Sequence, residues 1–183
     1  MNRDFAEGNM IWIVLGVITL LSGGFLAFVA PNLVHHLLFT YGDVILVQTP
    51  NFANVLFGVF VLLLSLFFFM IYKDNKKIKV AGFFVLLISI AFLAASMTSY
   101  TVVREEAIFH SEVLSLTSDR YEWTDVEDAV LLKMNDEIPY NSMVLSMKDG
   151  SELELKKGEF NFKKNEIEGM LLSVGIRYQL TER

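Results

Sequence analysis

Residues Ala53–Tyr72 read ANVLFGVFVLLLSLFFFMIY, and the seven that follow, Lys73–Lys79, read KDNKKIK. A helix needs about 20 consecutive apolar residues to cross a hydrocarbon core, and the first stretch supplies them. Each central Leu, Val or Phe contributes a few tenths of a kcal/mol on insertion scales, about −4 to −6 kcal/mol in all, so this segment inserts unaided. Working outward, residues 11–30 and 80–99 also qualify as spans. The first follows Arg3 and contains small residues at Ser22–Gly24, as a cleaved signal peptide would. Its apolar run exceeds the roughly 7–15 residues of a signal core, so a retained helix is expected. The third carries Ala91, Ala94, Ala95, Ser96 and Ser99. Small residues let another helix approach closely, which makes this stripe the expected packing face.

The KDNKKIK loop sets the expected orientation. Lys73, Lys76, Lys77 and Lys79 crowd a short connection, whereas the preceding connection, PNLVHHLLFTYGDVILVQTPN, has neither Lys nor Arg. Lys-rich short loops stay in the cytoplasm. The 73–79 loop is therefore expected inside and the C-terminal region outside the cytoplasm of a multi-pass cell-membrane protein. Within the uncharged connection, residues 32–48 are expected to form an interfacial or re-entrant segment, with Leu33, Leu37 and Leu38 toward lipid. His35 and His36 are adjacent and do not share a helix face, so no metal site is expected there.

Composition breaks near residue 100. Residues 1–100 hold five basic residues (Arg3 and the four lysines) and four acids (Asp4, Glu7, Asp43, Asp74), whereas 101–183 hold the remaining ten basic and seventeen acidic ones. The expected domains are thus a transmembrane region over 1–100 and a soluble domain over 101–183. An acidic soluble part excludes nucleic acid as a partner, because phosphate neutralisation needs a basic face. With no cysteine in the chain, disulfides and thiolate chemistry are excluded too.

After Tyr100 apolar residues alternate, the period of half-buried strands. Met143, Leu145 and Met147 share a face that Leu153 and Leu155 continue beyond Asp149-Gly150. Asp-Gly between alternating runs signals a hairpin whose favoured two-residue turn takes positive φ at both central positions. Val130, Leu132 and Met134 form another alternating run, and Ile108, Val113, Leu114 and Leu116 suggest two further strands. Thr124 and Glu127 have capping-box spacing, which predicts a single helical turn near Asp125 with Trp123 closing the core beneath it. Ile167, Met170, Leu171 and Val174 make one helical stripe, and Gly175 falls where a left-handed C-cap is wanted. The expected fold is α-helical membrane plus a small α+β domain: an antiparallel sheet or partial barrel of five or six strands closed by one C-terminal helix.

The order EEAIFHSE, YEWTDVEDAVLL, the strand pair around KDGSELEL and a terminal helix ending in VGI resembles the bacterial pleckstrin-homology-like domains attached to small membrane proteins. The resemblance covers about 80 residues, and its motif residues are Trp123, Asp125, Asp149 and Gly150. It implies a scaffold that binds a protein or a membrane surface, and no catalytic residues. A complete fold of that type has seven strands, one more than can be counted here.

No nucleophile–base pair, P-loop, zinc-protease or calcium-loop pattern occurs. Neighbouring His110 and Ser111 point to opposite strand faces, and the paired acids Glu105-Glu106, Glu127-Asp128 and Asp136-Glu137 are expected to be solvated. A non-catalytic protein without cofactor is expected. Lys156, Lys157, Lys163 and Lys164 cluster in an otherwise acidic region, two of them near a helix start where positive charge opposes the backbone dipole. They are the candidate contact for an anion. The expected partners are the bilayer and a protein or envelope component bound by the soluble domain, or a second copy of the chain. The alternative is an accessory subunit of a transporter or membrane enzyme.

Overall fold

The computed structural model describes residues 3–115, 117–135, 138–156 and 158–182. It divides into two compact units: the chain up to Val34 with Thr49–Ser99, and His35–Gln48 with the chain from Tyr100 onward.

The first unit is helical. Helix α1 runs Arg3–Phe39, α2 Asn51–Tyr72 and α3 Lys76–Thr98, and all three are long and apolar enough to cross a membrane. The first helix does not stop near Pro31, where the sequence suggested an end. Pro31 cannot donate to the preceding turn, but such gaps are tolerated in apolar helices when nearby polar groups satisfy the backbone. One residue on, Asn32 Nδ2 donates to Phe28 O at 3.0 Å and reaches Asn54 Oδ1 at 3.3 Å, which ties α1 to α2 beside the proline.

Small residues seven apart make the helix seams. A Cβ on Gly16 would lie 2.8 Å from Phe69, and one on Gly23 only 2.2 Å from Val61, so bare backbone of α1 receives side chains of α2. Ser65 Oγ on α2 donates to Gly16 O at 2.8 Å. On α3, Gly82, Ser89 and Ser96 are buried, again at seven-residue spacing, and Ser89 Oγ donates to Phe60 O at 3.1 Å. This corrects the expected Ala/Ser stripe: Ala95, Ser96 and Ser99 are buried, but Ala91 and Ala94 are exposed. A helix seam follows the 3.5-residue repeat, and a dense run of small residues necessarily spills onto other faces.

Among the described residues the second unit holds eight strands, more than the five or six expected: β1 Val44–Gln48, β2 Tyr100–Arg104, β3 Ala107–Ser111, β4 Asp119–Glu122, β5 Val126–Lys133, β6 Ser142–Met147, β7 Glu152–Lys156 and β8 Gln179–Glu182, with helix α4 Gly158–Ser173 before the last. They form two four-stranded sheets, ordered β1-β2-β3-β4 and β7-β6-β5-β8. All pairs are antiparallel except β5 with β8, and neither sheet closes into a barrel.

The 32–48 segment, expected as an interfacial or re-entrant stretch, is the end of α1 followed by β1, an edge strand paired with β2. Chain order places α2 and α3 as an insertion between those two paired strands. A bulge between Val44 and Leu46 turns both Ile45 and Leu46 into the core. They join Val103 and Ile108 from the first sheet, Ala129, Leu131, Met143, Leu145, Leu153 and Leu155 from the second, and Phe160, Ile167 and Leu171 from α4. Each of the larger of these side chains, the Val, Ile, Leu, Met and Phe, contributes about 1.5–3 kcal/mol of burial.

Three local expectations shift. The inward face of β5 carries Ala129 and Leu131, while Val130 and Leu132 are only half-buried, because a bulge between Val126 and Asp128 resets the alternation. The helical turn is a 3-10 turn over Trp123–Asp125 whose capping box joins Glu122 and Asp125, two residues before the expected pair; Asp125 Oδ2 accepts from Glu122 N at 2.8 Å. The hairpin has a three-residue loop, Lys148–Gly150. Gly150 N donates to Met147 O and Met147 N to Ser151 O, with positive φ at Gly150 and not at Asp149. This is a type I turn completed by a left-handed residue, and Asp149 tightens it by accepting from Ser151 N and Oγ at 2.9 and 2.7 Å.

Candidate binding cleft

Directly opposed residues on antiparallel strands share a face. Val102 opposes Phe109 across β2 and β3, so Tyr100, Val102, Arg104 and Phe109 present one side of the first sheet, while Val103 and Ile108 present the core side. On that outward side lies a cleft of about 310 Å³ lined by Phe39, Tyr100, Val102, Arg104, Glu106, Phe109 and Ser118. Val102 is buried beneath it.

The cleft is held by aromatic packing at one end and charge at the other. Phe39 and Tyr100 approach to 4.3 Å between ring centroids, and the fully buried His35 ring lies 5.6 Å from Tyr100. At the other end Arg104 Nη1 donates to Asp43 Oδ1 at 3.0 Å and to Tyr41 O at 3.2 Å. Trp123 Nε1 donates to Arg104 O at 3.1 Å, which orients the strand from the core side. Three aromatic rings beside a guanidinium and a carboxylate can hold a peptide-like group: the rings give area at small entropic cost and the charges give orientation.

Of the residues singled out in the sequence, Trp123 is buried in the core, Asp125 caps the 3-10 turn, and Asp149 and Gly150 form the hairpin loop. The described lysines of the anion candidate are each matched to a carboxylate: Lys156 with Glu154 at 2.7 Å, Lys163 with Glu166 at 2.8 Å, and Lys164 with Glu168 at 3.2 Å. The last pair is close enough for charge attraction but not aligned as a hydrogen bond. Lys157, Leu116, Asp136 and Glu137 lie outside the described residues. Pairing of this kind weakens the attraction an added anion would meet.

Among the topology lysines, Lys76, Lys77 and Lys79 occupy the first turn of α3, where Asn75 caps by accepting from Lys77 N at 2.9 Å. Lys79 pairs with Asp74 at 3.1 Å. His110 sits on the core side of β3 with its Nδ1 2.9 Å from Thr101 Oγ1. Burial pulls its pKa below 6.5, more than the Glu112 and Asp119 carboxylates raise it. Among the described residues no three His, Asp or Glu side chains converge as metal ligands would.

The cleft is not legible in the sequence because Phe39, and the Asp43 that pairs with Arg104, belong to the stretch expected to be interfacial. The one signal that could have found it is Val44–Gln48, VILVQ, a β-branched run of strand character. Comparison with protein-family models, curated proteins and solved structures finds no match.

Proposed function

We propose that this chain is a non-catalytic, multi-pass membrane protein of bacterial type whose sheet-rich unit binds a protein or envelope component. The observation that carries the reading is the cleft on β2 and β3, where Phe39, Tyr100 and Phe109 stand beside Arg104 and Glu106. Aromatic and Arg side chains dominate the energetics of protein interfaces. Two sheets sharing one core with helix α4 support a pleckstrin-homology-like scaffold, although β8 follows the helix that was expected to end the domain. The lysines at 73, 76, 77 and 79 support a cytoplasmic loop and an extracytoplasmic sheet unit. Positive charge in the first turn of α3 opposes the helix dipole, a local cost that a topogenic role accounts for.

The alternative, an accessory subunit recognised through its helices, has one observation of its own. A lipid-side groove of about 360 Å³ runs between α1 and α2, lined by Leu20, Gly24, Ala27, Val55, Gly58 and Leu62. Nothing lies within 4 Å of where a Gly24 side chain would start, so a partner helix has room to approach.

A photo-crosslinking residue in place of Phe109, and separately of Leu20, separates the two in intact membranes. Adducts from position 109 with a water-soluble or envelope component are expected. Adducts from position 20 alone, to an integral membrane protein, move the reading to the subunit, and silence at both positions removes both.

A further inference from the structure

Met10–Phe39 is an apolar stretch of 30 residues in one helix. At 1.5 Å per residue it is about 45 Å long, whereas the hydrocarbon core is about 30 Å and the whole bilayer with headgroups about 40–45 Å thick. No charged residue occurs from Gly8 to Gly42, so nothing in this stretch demands bulk water. A helix of that length keeps its last turn within the headgroup layer when Met10 lies at the opposite headgroup boundary, and tilt buries that turn further.

That turn belongs to the sheet-rich unit. His36 and Thr40 share a cleft of about 360 Å³ with Val44, Ile45 and Val47 of β1 and with Phe162 and Lys163 of α4. Phe162 is 87% exposed, and Leu37, Leu38 and Tyr41 of the adjoining chain are 60, 63 and 72% exposed. A lone exposed ring needs no explanation. Here the ring borders an apolar cleft whose wall is the uncharged continuation of a bilayer-length helix.

We propose that the Phe162 edge of α4 rests in the headgroup layer of the bilayer that α1 crosses, with the ring as an interfacial wedge and Lys163 beside it. Aromatic rings favour this layer, and a lysine stem can cover apolar surface while its ammonium stays in the aqueous margin. Lys163 is paired with Glu166, so the contact is apolar in origin and does not depend on anionic lipid. The occupant is the lipid surface; the proposal rests on the membrane reading of α1 and is independent of the partner cleft.

The chain has no cysteine, so single variants of the full-length protein carry one nitroxide each. Phe162→Cys, Leu21→Cys in mid-span and Glu127→Cys on the outer face of β5 are compared in phosphatidylcholine vesicles by collision with oxygen and with a water-soluble nickel chelate. The ratio of oxygen to nickel collisions is expected to be severalfold higher at positions 162 and 21 than at 127. A ratio at 162 equal to that at 127, with 21 still lipid-like, overturns the wedge alone. Water-like values at 21 as well overturn the membrane reading of α1. Spin–spin broadening at 162 that disappears on dilution with unlabelled chain assigns the ring to a second copy and also overturns the wedge. The same high ratio in vesicles with added phosphatidylglycerol supports the apolar origin, and a ratio that appears only there overturns it.

Discussion

Gln48 ends β1 by gripping the backbone at Lys156, 108 positions later in the chain: its Oε1 accepts from Lys156 N at 2.7 Å, and its Nε2 donates to Glu154 O at 2.9 Å. One side-chain amide thus acts as a strand partner for β7 and stitches the edges of the two sheets together. An edge strand otherwise presents unpaired donors and acceptors, so the clasp both closes the core and protects that edge.

Replacing Gln48 with Ala leaves both backbone groups to find water and is expected to cost about 1–3 kcal/mol. Hydrogen exchange at the Lys156 amide of the full-length protein should accelerate. Gln48→Glu keeps an acceptor for Lys156 N–H but turns an oxygen toward Glu154 O, so Lys156 should stay protected while stability still falls. Unchanged exchange in the Ala variant would show the clasp to be incidental.

Gly23 and Gly24 are neighbours with opposite expectations. A methyl group on Gly23 would meet Val61 at 2.2 Å, whereas one on Gly24 meets nothing within 4 Å. Gly23→Ala should destabilise the helical unit by about 1–3 kcal/mol through overpacking, and Gly24→Ala should be near neutral. Melting in detergent micelles distinguishes them, and adding Val61→Ala should recover part of the Gly23→Ala loss.

The left-handed position at Gly150, φ +88°, makes a third comparison. Gly150→Ala should lose about 1–2 kcal/mol, and Gly150→Asn less, since Asn tolerates that conformation. Equal losses measured by chemical unfolding would exclude backbone strain as the cause.

Burial holds the folded-state pKa of His110 below 6.5, so the folded chain binds this proton less readily than the unfolded chain. The stability linked to neutral His110 is fully present above pH 6.5 and is lost as pH falls through 6.5 toward the folded-state value. Thermal unfolding of the full-length protein should show a decline across this window that is shallower in His110→Gln. Identical slopes in the two proteins would assign the decline to carboxylates.

Because β1 pairs with β2, a membrane that α2 and α3 cross must be crossed an even number of times between them, and the chain before α2 and after α3 is then expected on one side. Single cysteines at Tyr41 and Glu112 should react with an impermeant thiol reagent from the same side, and one at Lys77 from the other. All three reacting from one side would mean that α2 and α3 do not cross.

The parts legible in the sequence are those whose cause is local. Span α2 is a run of residues that water rejects wherever the chain goes, Asp149-Gly150 turns the chain within three residues, and Ile167 and Leu171 share a face by helical period alone. Val44–Gln48 is not legible as part of a sheet because its partner strand lies beyond two helices, and no window of neighbouring residues contains both. The β5 face was inverted by a bulge of one residue, to which alternation is blind. Strand β8, QLTE, has a single apolar residue and is a strand only because β5 offers it a parallel edge.

By itself the sequence determined which segments are long and apolar enough to cross a membrane and which suit water, since transfer between solvents is a property of each segment. Only the tertiary structure decided which separated segments make one sheet unit, that Gln48 closes it, and that Phe39 and Arg104 share a cleft while Asp43 holds the guanidinium. Those are pairings between distant backbones, and backbone hydrogen-bonding groups are the same in every residue.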